Sequence, residues 1–245
     1  AFSWKNCLSE TGGSHLPDAV GFNVGEKGAG QRRIHVHGDA GHGSTPYGKD
    51  FAILKIGEVA RRIAAAEPPV ASNEIWEGFV KTFKFDPETE AALIAGTGDY
   101  SKFGDLAAYA HAFSHTTIAE TVLRAGGAIN VLPSHAYLEM DIRPFPGQTQ
   151  DELDDFLREA LGDLADEVEI EHLITEDATQ SSTDTKLWHA IEATSKEFFP
   201  DKDVVPVHAT GGSDLRFARR MGGNAYGFAM HAEARDMASA NSQLH

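Results

Sequence analysis

The sequence is poor in three things. It holds one cysteine, Cys7, in 245 residues, so no internal disulfide can form and a reducing compartment, the cytoplasm, is expected. Positive charge is scarce: Lys+Arg number 21 against 37 Asp+Glu, a formal net charge of −16. Such a chain has no sequence-independent grip on phosphate backbones or anionic lipid, which excludes nucleic-acid and membrane partners. No apolar run reaches the roughly 18 residues of a spanning helix. The stretch Ala1 to Glu10 lacks the charged and apolar regions of a signal peptide, so a soluble protein is expected. What is present is apolar content of 41%, enough for a real core, and as many as 12 histidines.

Hydrophobic periodicity orders the chain. Ile34 and Val36 alternate with His35 and His37, a short strand, and the segment from Asp50 to Ala66 carries Ala52, Ile56, Val59, Ala60 and Ile63 at helical spacing. Pro68 and Pro69 end that helix. Residues 70–115 are irregular, with short helices expected near Pro87 to Ala95 and Lys102 to Phe113. A strand from Thr117 to Arg124, a loop through Gly126, Gly127 and Pro133, and a strand alternating at Ala136, Leu138, Met140 and Ile142 follow. Thr149 and Glu152 form a capping-box pattern ahead of a helix that Gly162 closes. Val168, Ile170, His172 and Ile174 then alternate with glutamates that discourage edge pairing.

This strand, helix, insertion, strand, strand, helix, strand order is that of a ferredoxin-like α+β layer. Beyond it, a helix with Leu187, Trp188, Ile191 and Phe198 inward, a strand Val204 to Val207, a helix near Leu215 to Met221 and a strand Asn224 to Phe228 suggest a parallel sheet. The predicted organisation is an α/β domain, residues 1–26 and 175–245, interrupted by a ferredoxin-like domain, residues 27–174.

Several residues offer chemistry, and each has a plainer reading. His35 and His37 point to one side of a strand, a spacing that metal sites use and that water-facing strands also show. His42 lies among small residues between strand and helix, where the loop either exposes one imidazole or merely turns. Gly211, Gly212 and Ser213 open a helix whose amides and hydroxyl can receive an anion, or form an ordinary loop. Arg216 is either a bidentate carboxylate clamp or a solvated helix arginine. Glu10, before Gly12-Gly13, faces a cleft or water.

Together, Gly41-His42-Gly43-Ser44 with Pro46, Gly127 to Pro133, Met140-Asp141-Ile142-Arg143 with Pro146-Gly147, and Gly211-Gly212-Ser213-Asp214 with Gly222 and Tyr226-Gly227-Phe228 resemble, in order and spacing, the motifs of one family. It is the aminoacylase, glutamate carboxypeptidase and succinyl-diaminopimelate desuccinylase family of dinuclear zinc peptidases. The resemblance covers nearly the whole chain, as the C-terminal part of such an enzyme. It implies that the inserted domain is a lid that forms a homodimer, and that His42 reaches the partner subunit's site to polarise the scissile carbonyl. It also implies that Asn130 contacts substrate from the lid, that Gly211, Gly212 and Ser213 form the substrate loop, and that Arg216 receives the substrate's α-carboxylate. Glu10 resembles a ligand of one zinc and His245 a ligand of the other.

The family's His-x-Asp and its adjacent acidic pair are not found upstream of Glu10. A pair of metals needs a bridging carboxylate and several ligands. The sequence therefore predicts a segment of a zinc-dependent hydrolase of peptides or N-acyl amino acids, inactive alone, the alternative being a non-catalytic dimerising or small-ligand-binding module.

Overall fold

A computed structural model describes residues 4–9, 12–71, 73–231 and 237 of the chain. The chain opens with β1 (Asn6–Ser9), β2 (Gly12–His15) and β3 (Ala19–Glu26). Every residue of β3 except Asn23 is buried. A strand covered on both faces reads as a continuous small and apolar run, not an alternation. It is the spine of a six-stranded sheet.

The chain crosses at Lys27 and Gly28 into the second unit through β4 (Ala29–His37), β5 (Gly41–His42) and α1 (Ala52–Ala65). Next come α2 (Glu74–Lys81), α3 (Pro87–Ile94), a 3-10 segment (Tyr100–Leu106) and α4 (Ala107–Ser114). Then β6 (Thr117–Ala125), β7 (Val131–Leu132), β8 (His135–Arg143), α5 (Gln150–Leu161) and β9 (Val168–Glu176) complete that unit. Its sheet order is β6-β8-β4-β9, wholly antiparallel, with α1 and α5 on one face. That is the ferredoxin-like arrangement expected. The capping box of Thr149 and Glu152 is formed, and Gly162 closes α5 with a positive φ of 57°. Arg32, fully buried, donates from Nε to Asp154 at 2.8 Å and so ties β4 to α5.

The chain returns through β10 (Thr179–Gln180), α6 (Lys186–Phe198), β11 (Asp203–Ala209), α7 (Leu215–Arg220) and β12 (Asn224–Gly227). On β3, β11 runs parallel while β2, β10 and β12 run antiparallel, and β1 runs parallel to β12. The sheet is mixed, not the parallel one that the strand-helix-strand pattern suggested, because the two strands flanking α7 run in opposite senses across β3.

Two side-chain expectations also change. Ile174 is 54% exposed because a register shift between Gly30 and Arg32 breaks the alternation along β9. Phe198, at the last residue of α6, is 66% exposed where Trp188 and Ile191 are buried.

The helices from α2 to α4 sit within the 27–174 span, yet their apolar faces belong to the six-stranded unit. Trp76, Phe79, Val80, Leu93, Phe103 and Phe113 share one core with Phe22, Val24, Trp188, Val207 and Tyr226. Trp76 is fully buried and donates its indole N–H to Leu93 O at 3.0 Å, so it is both packed and satisfied.

Candidate functional site

The loop after β4 is built to present one ring. Gly38 lies so close to the start of α1 that a Cβ there would stand 2.5 Å from Ala52 N. The loop is then closed on itself: Asp39 N donates to Asp50 O at 2.7 Å, and Asp50 N to the Asp39 carboxylate at 3.1 Å. Between these ties, Gly41 and His42 pair antiparallel with Leu132 and Val131, and Gly43 N donates to Asn130 O at 2.8 Å. Two residues singled out from distant motifs, His42 and Asn130, thus meet on one two-stranded ribbon, and both are exposed.

His42 has a defined tautomer. The Ser44 backbone N–H donates to Nδ1 at 3.2 Å, with Ser44 Oγ also 2.8 Å from that nitrogen. A backbone amide can only donate, so Nδ1 is an acceptor and Nε2 carries the proton. With Nδ1 accepting, Nε2 is the free hydrogen-bond donor, suited to a carbonyl or to the oxyanion it becomes.

The second group lies on the six-stranded unit. The Ser213 amide donates to Glu26 Oε2 at 2.7 Å and the Ser213 hydroxyl donates to the same oxygen, so both Ser213 donors are engaged internally. Glu26 is 2% exposed, and its Oε1 has no hydrogen-bond partner among the described residues. Arg219 Nη1 approaches Glu26 at 3.6 Å. The anion at this helix start is therefore Glu26 itself, at the end of β3, a residue that sequence reasoning missed. The reason is that its partners lie far along the chain. Arg216 folds back over the loop: a Cβ on Gly212 would stand 2.3 Å from Arg216 Nη1, and Arg216 Nε lies 3.3 Å from Glu176 Oε2. Glycine at 212 is what lets the guanidinium lie there.

Titratable groups unforeseen from sequence fill the junction between the units. Lys27 is 3% exposed and donates from Nζ to Ala112 O at 3.0 Å, His115 O at 2.8 Å and Thr117 Oγ1 at 3.1 Å. Burial, with nearby Arg143, pushes its pKa down to about 7. His208, whose Nε2 meets Gln180 Oε1 at 2.9 Å, is pushed to about 4 by burial and by Arg219. Burial and the stacked His111 ring, 4.1 Å away, bring His115 to about 4 as well.

The two metal-ligand candidates, Glu10 and His245, lie outside the described residues. Among the described residues, no group of three or more His, Cys, Asp or Glu is placed to hold a metal ion. The His35 and His37 pair gains His135 as a neighbour, but His35 spends its nitrogens on His135 Nε2 at 2.9 Å and Glu171 at 3.0 Å. Nothing among the described residues therefore fits a metal site. Also among them, no helix is long and apolar enough to cross a membrane. The two groups, His42 with Asn130 and the 211–216 loop with Glu26, are joined by no hydrogen bond or ion pair among the described residues.

Comparison with known proteins gives this geometry a context. Residues 24–169 match a family described as a peptidase dimerisation domain. The chain is 30% identical over 119 residues to a probable carboxypeptidase S-like protein of Dictyostelium discoideum, covering 48% of this chain and 22% of that protein. It is 24% identical over 219 residues to the human N-fatty-acyl-amino acid synthase/hydrolase, covering 84% of this chain and 42% of the relative. The chain thus spans less than half the length of either relative. Its fold is similar to that of an M20 family metallo-carboxypeptidase from Sulfolobus solfataricus, with a TM-score of 0.60 at 16% identity over 98% of this chain and 67% of that one. A dipeptidase of Saccharomyces cerevisiae gives 0.55 at 12% identity over 91% and 50%.

Proposed function

Because this chain belongs to the M20 peptidase family through its dimerisation domain, we propose that it is part of a metal-dependent hydrolase cleaving the amide bond of a peptide or N-acyl amino acid. The observation that carries the reading is the His42 ring, its Nδ1 accepting from Ser44 N and its Nε2 left free to donate, exposed beside Asn130 on a closed loop of the lid. A fixed donor of that kind stabilises charge developing on an amide oxygen. In this reading His42 donates to the scissile carbonyl, Asn130 holds the substrate from the lid, and Gly211, Gly212 and Ser213 shape the loop beneath it. Arg216 binds the α-carboxylate. The relatives' names fit a substrate whose amide neighbours a carboxylate: one is carboxypeptidase S-like, the other an N-fatty-acyl-amino acid synthase/hydrolase.

The family is a metallopeptidase family, and zinc, bound with the help of Glu10 and His245, is the metal proposed; when bound it supplies the activated water. The enzyme works as a homodimer through the lid, in the cytoplasm. Of the two edges of the lid sheet, β9 carries Glu169 and the Arg33-paired Glu171, whereas β6 carries one glutamate, Glu120, and offers Val122 and Leu123, the latter 46% exposed. Like charges repel across an edge, so β6 is the edge that meets its counterpart, and His42 then serves the neighbouring subunit.

The test is hydrolysis of N-acetyl amino acids by the full-length protein. Product should form with zinc, stop with a chelator and return on adding zinc back, while the 245-residue chain alone should form none. Failure of the full-length protein with metal present would favour the non-catalytic module. Turnover by the 245-residue chain would refute the assignment as a segment.

A further inference from the structure

The six-residue helix α7 uses three arginines to hold one short stretch, the strand that returns from the lid. Arg216 Nε stands 3.3 Å from the Glu176 carboxylate, Arg220 Nη2 donates to Asp177 O at 3.2 Å, and Arg219 Nη1 donates to Thr179 Oγ1 at 3.2 Å. Glu176 ends β9, opposite Ala29 at the start of β4, where the lid joins the rest of the molecule. The residue proposed to receive the substrate's carboxylate is thus already paired with a carboxylate of the hinge.

That pairing is built to be exchanged. The two side chains are 26% and 33% exposed, and Arg216 Nε, itself buried, has no hydrogen-bond partner despite the 3.3 Å approach. A monodentate, partly exposed pair is worth little. A carboxylate free to lie in the guanidinium plane forms two parallel bonds and is held more strongly. The path of the guanidinium is also set, with its central carbon 5.1 Å from the Phe217 ring and Gly212 leaving room for Nη1.

We propose that Glu176 is a built-in stand-in for the substrate's carboxylate: it holds Arg216 in place until substrate displaces it, and the exchange removes one of the three arginine ties, the one at Glu176, that α7 makes to the hinge strand. This rests on the reading of Arg216 given above. Glu176 is a positioning residue that couples recognition of a carboxylate to the join between lid and sheet. Substrates lacking that carboxylate leave the latch shut.

The experiment is calorimetric binding of an N-acetyl amino acid, and of its carboxamide, to the full-length protein. Glu176→Gln should tighten binding of the carboxylate about two- to fivefold, the range of an exposed pair, leave the carboxamide unchanged, and do nothing in an Arg216→Ala background. Hydrogen exchange at amides 176–180 should rise when the carboxylate ligand is added to the wild type and be high already in Glu176→Gln. A Glu176→Gln variant that binds both ligands as the wild type does would overturn the proposal while leaving Arg216 in the site. A wild-type protein with no preference for carboxylate over carboxamide would remove Arg216 from the site, and this proposal with it.

Discussion

The Ser44 backbone amide donates to Nδ1 of His42 at 3.2 Å, and this one bond decides which ring nitrogen bears the proton. A histidine exposed on a loop would otherwise exchange tautomers freely. Here the donor is fixed by the local fold before any substrate arrives, which is the condition for stabilising a developing charge without reorganisation.

Replacing His42 should therefore strike turnover and spare the fold. In the full-length enzyme His42→Ala is expected to lower kcat by about 10²- to 10³-fold, the effect of losing one such donor, with little change in KM. Since the ring is exposed, thermal unfolding should be unaltered; a fall in Tm accompanying the loss would point to a structural role instead.

Acid should destabilise the protein in a predictable window. His115 and His208 are held neutral, their pKa values brought from the ordinary 6.5 to about 4 by burial. Between those values the unfolded chain takes up protons that the folded one refuses, so stability is complete above 6.5 and falls as pH drops toward 4. Urea midpoints measured across this range should drop steadily, and His208→Asn should flatten the drop. An unchanged slope in the variant would show that other groups carry it.

The β6 edge should hold the dimer. Leu123→Lys puts a charge on an exposed strand edge, so light scattering should report a monomer whose far-ultraviolet circular dichroism matches the wild type. A variant that stays dimeric would move the interface elsewhere.

Trp76 tests the placement of the helical insertion. Cutting a fully buried tryptophan to alanine costs about 3–5 kcal/mol, and Trp76→Ala should do so because the ring packs against Phe79, Tyr100, Phe103 and Phe113. A loss below about 0.5 kcal/mol, the usual size of a surface change, would mean that this helix lies outside the core.

The lid was legible because its signals are local. Alternation along Ile34 and Val36 or Leu138 and Met140, and the capping box at Thr149, state their structure within a few residues. The strand β3 was not, since burial on both faces erases the alternation that marks a strand. The helix α2 was hidden in the irregular stretch; its Asn73 cap, which accepts from Ile75 N and Trp76 N, was the missed signal. At the site, His42 stood out through its glycine-rich surroundings, and Asn130 only through the family motif it resembles. Glu26, Lys27, Glu176 and His208 did not, because what gives each its character is a partner far along the chain or burial between the two units.

The central claim is that the lid of one subunit completes the site of another. It is tested most directly by mixing two inactive full-length variants, His42→Ala and Arg216→Ala, and assaying below KM after subunit exchange. The mixture should regain about a quarter of wild-type activity, the share for random pairing in a two-fold dimer. A mixture no more active than its separate components would contradict it.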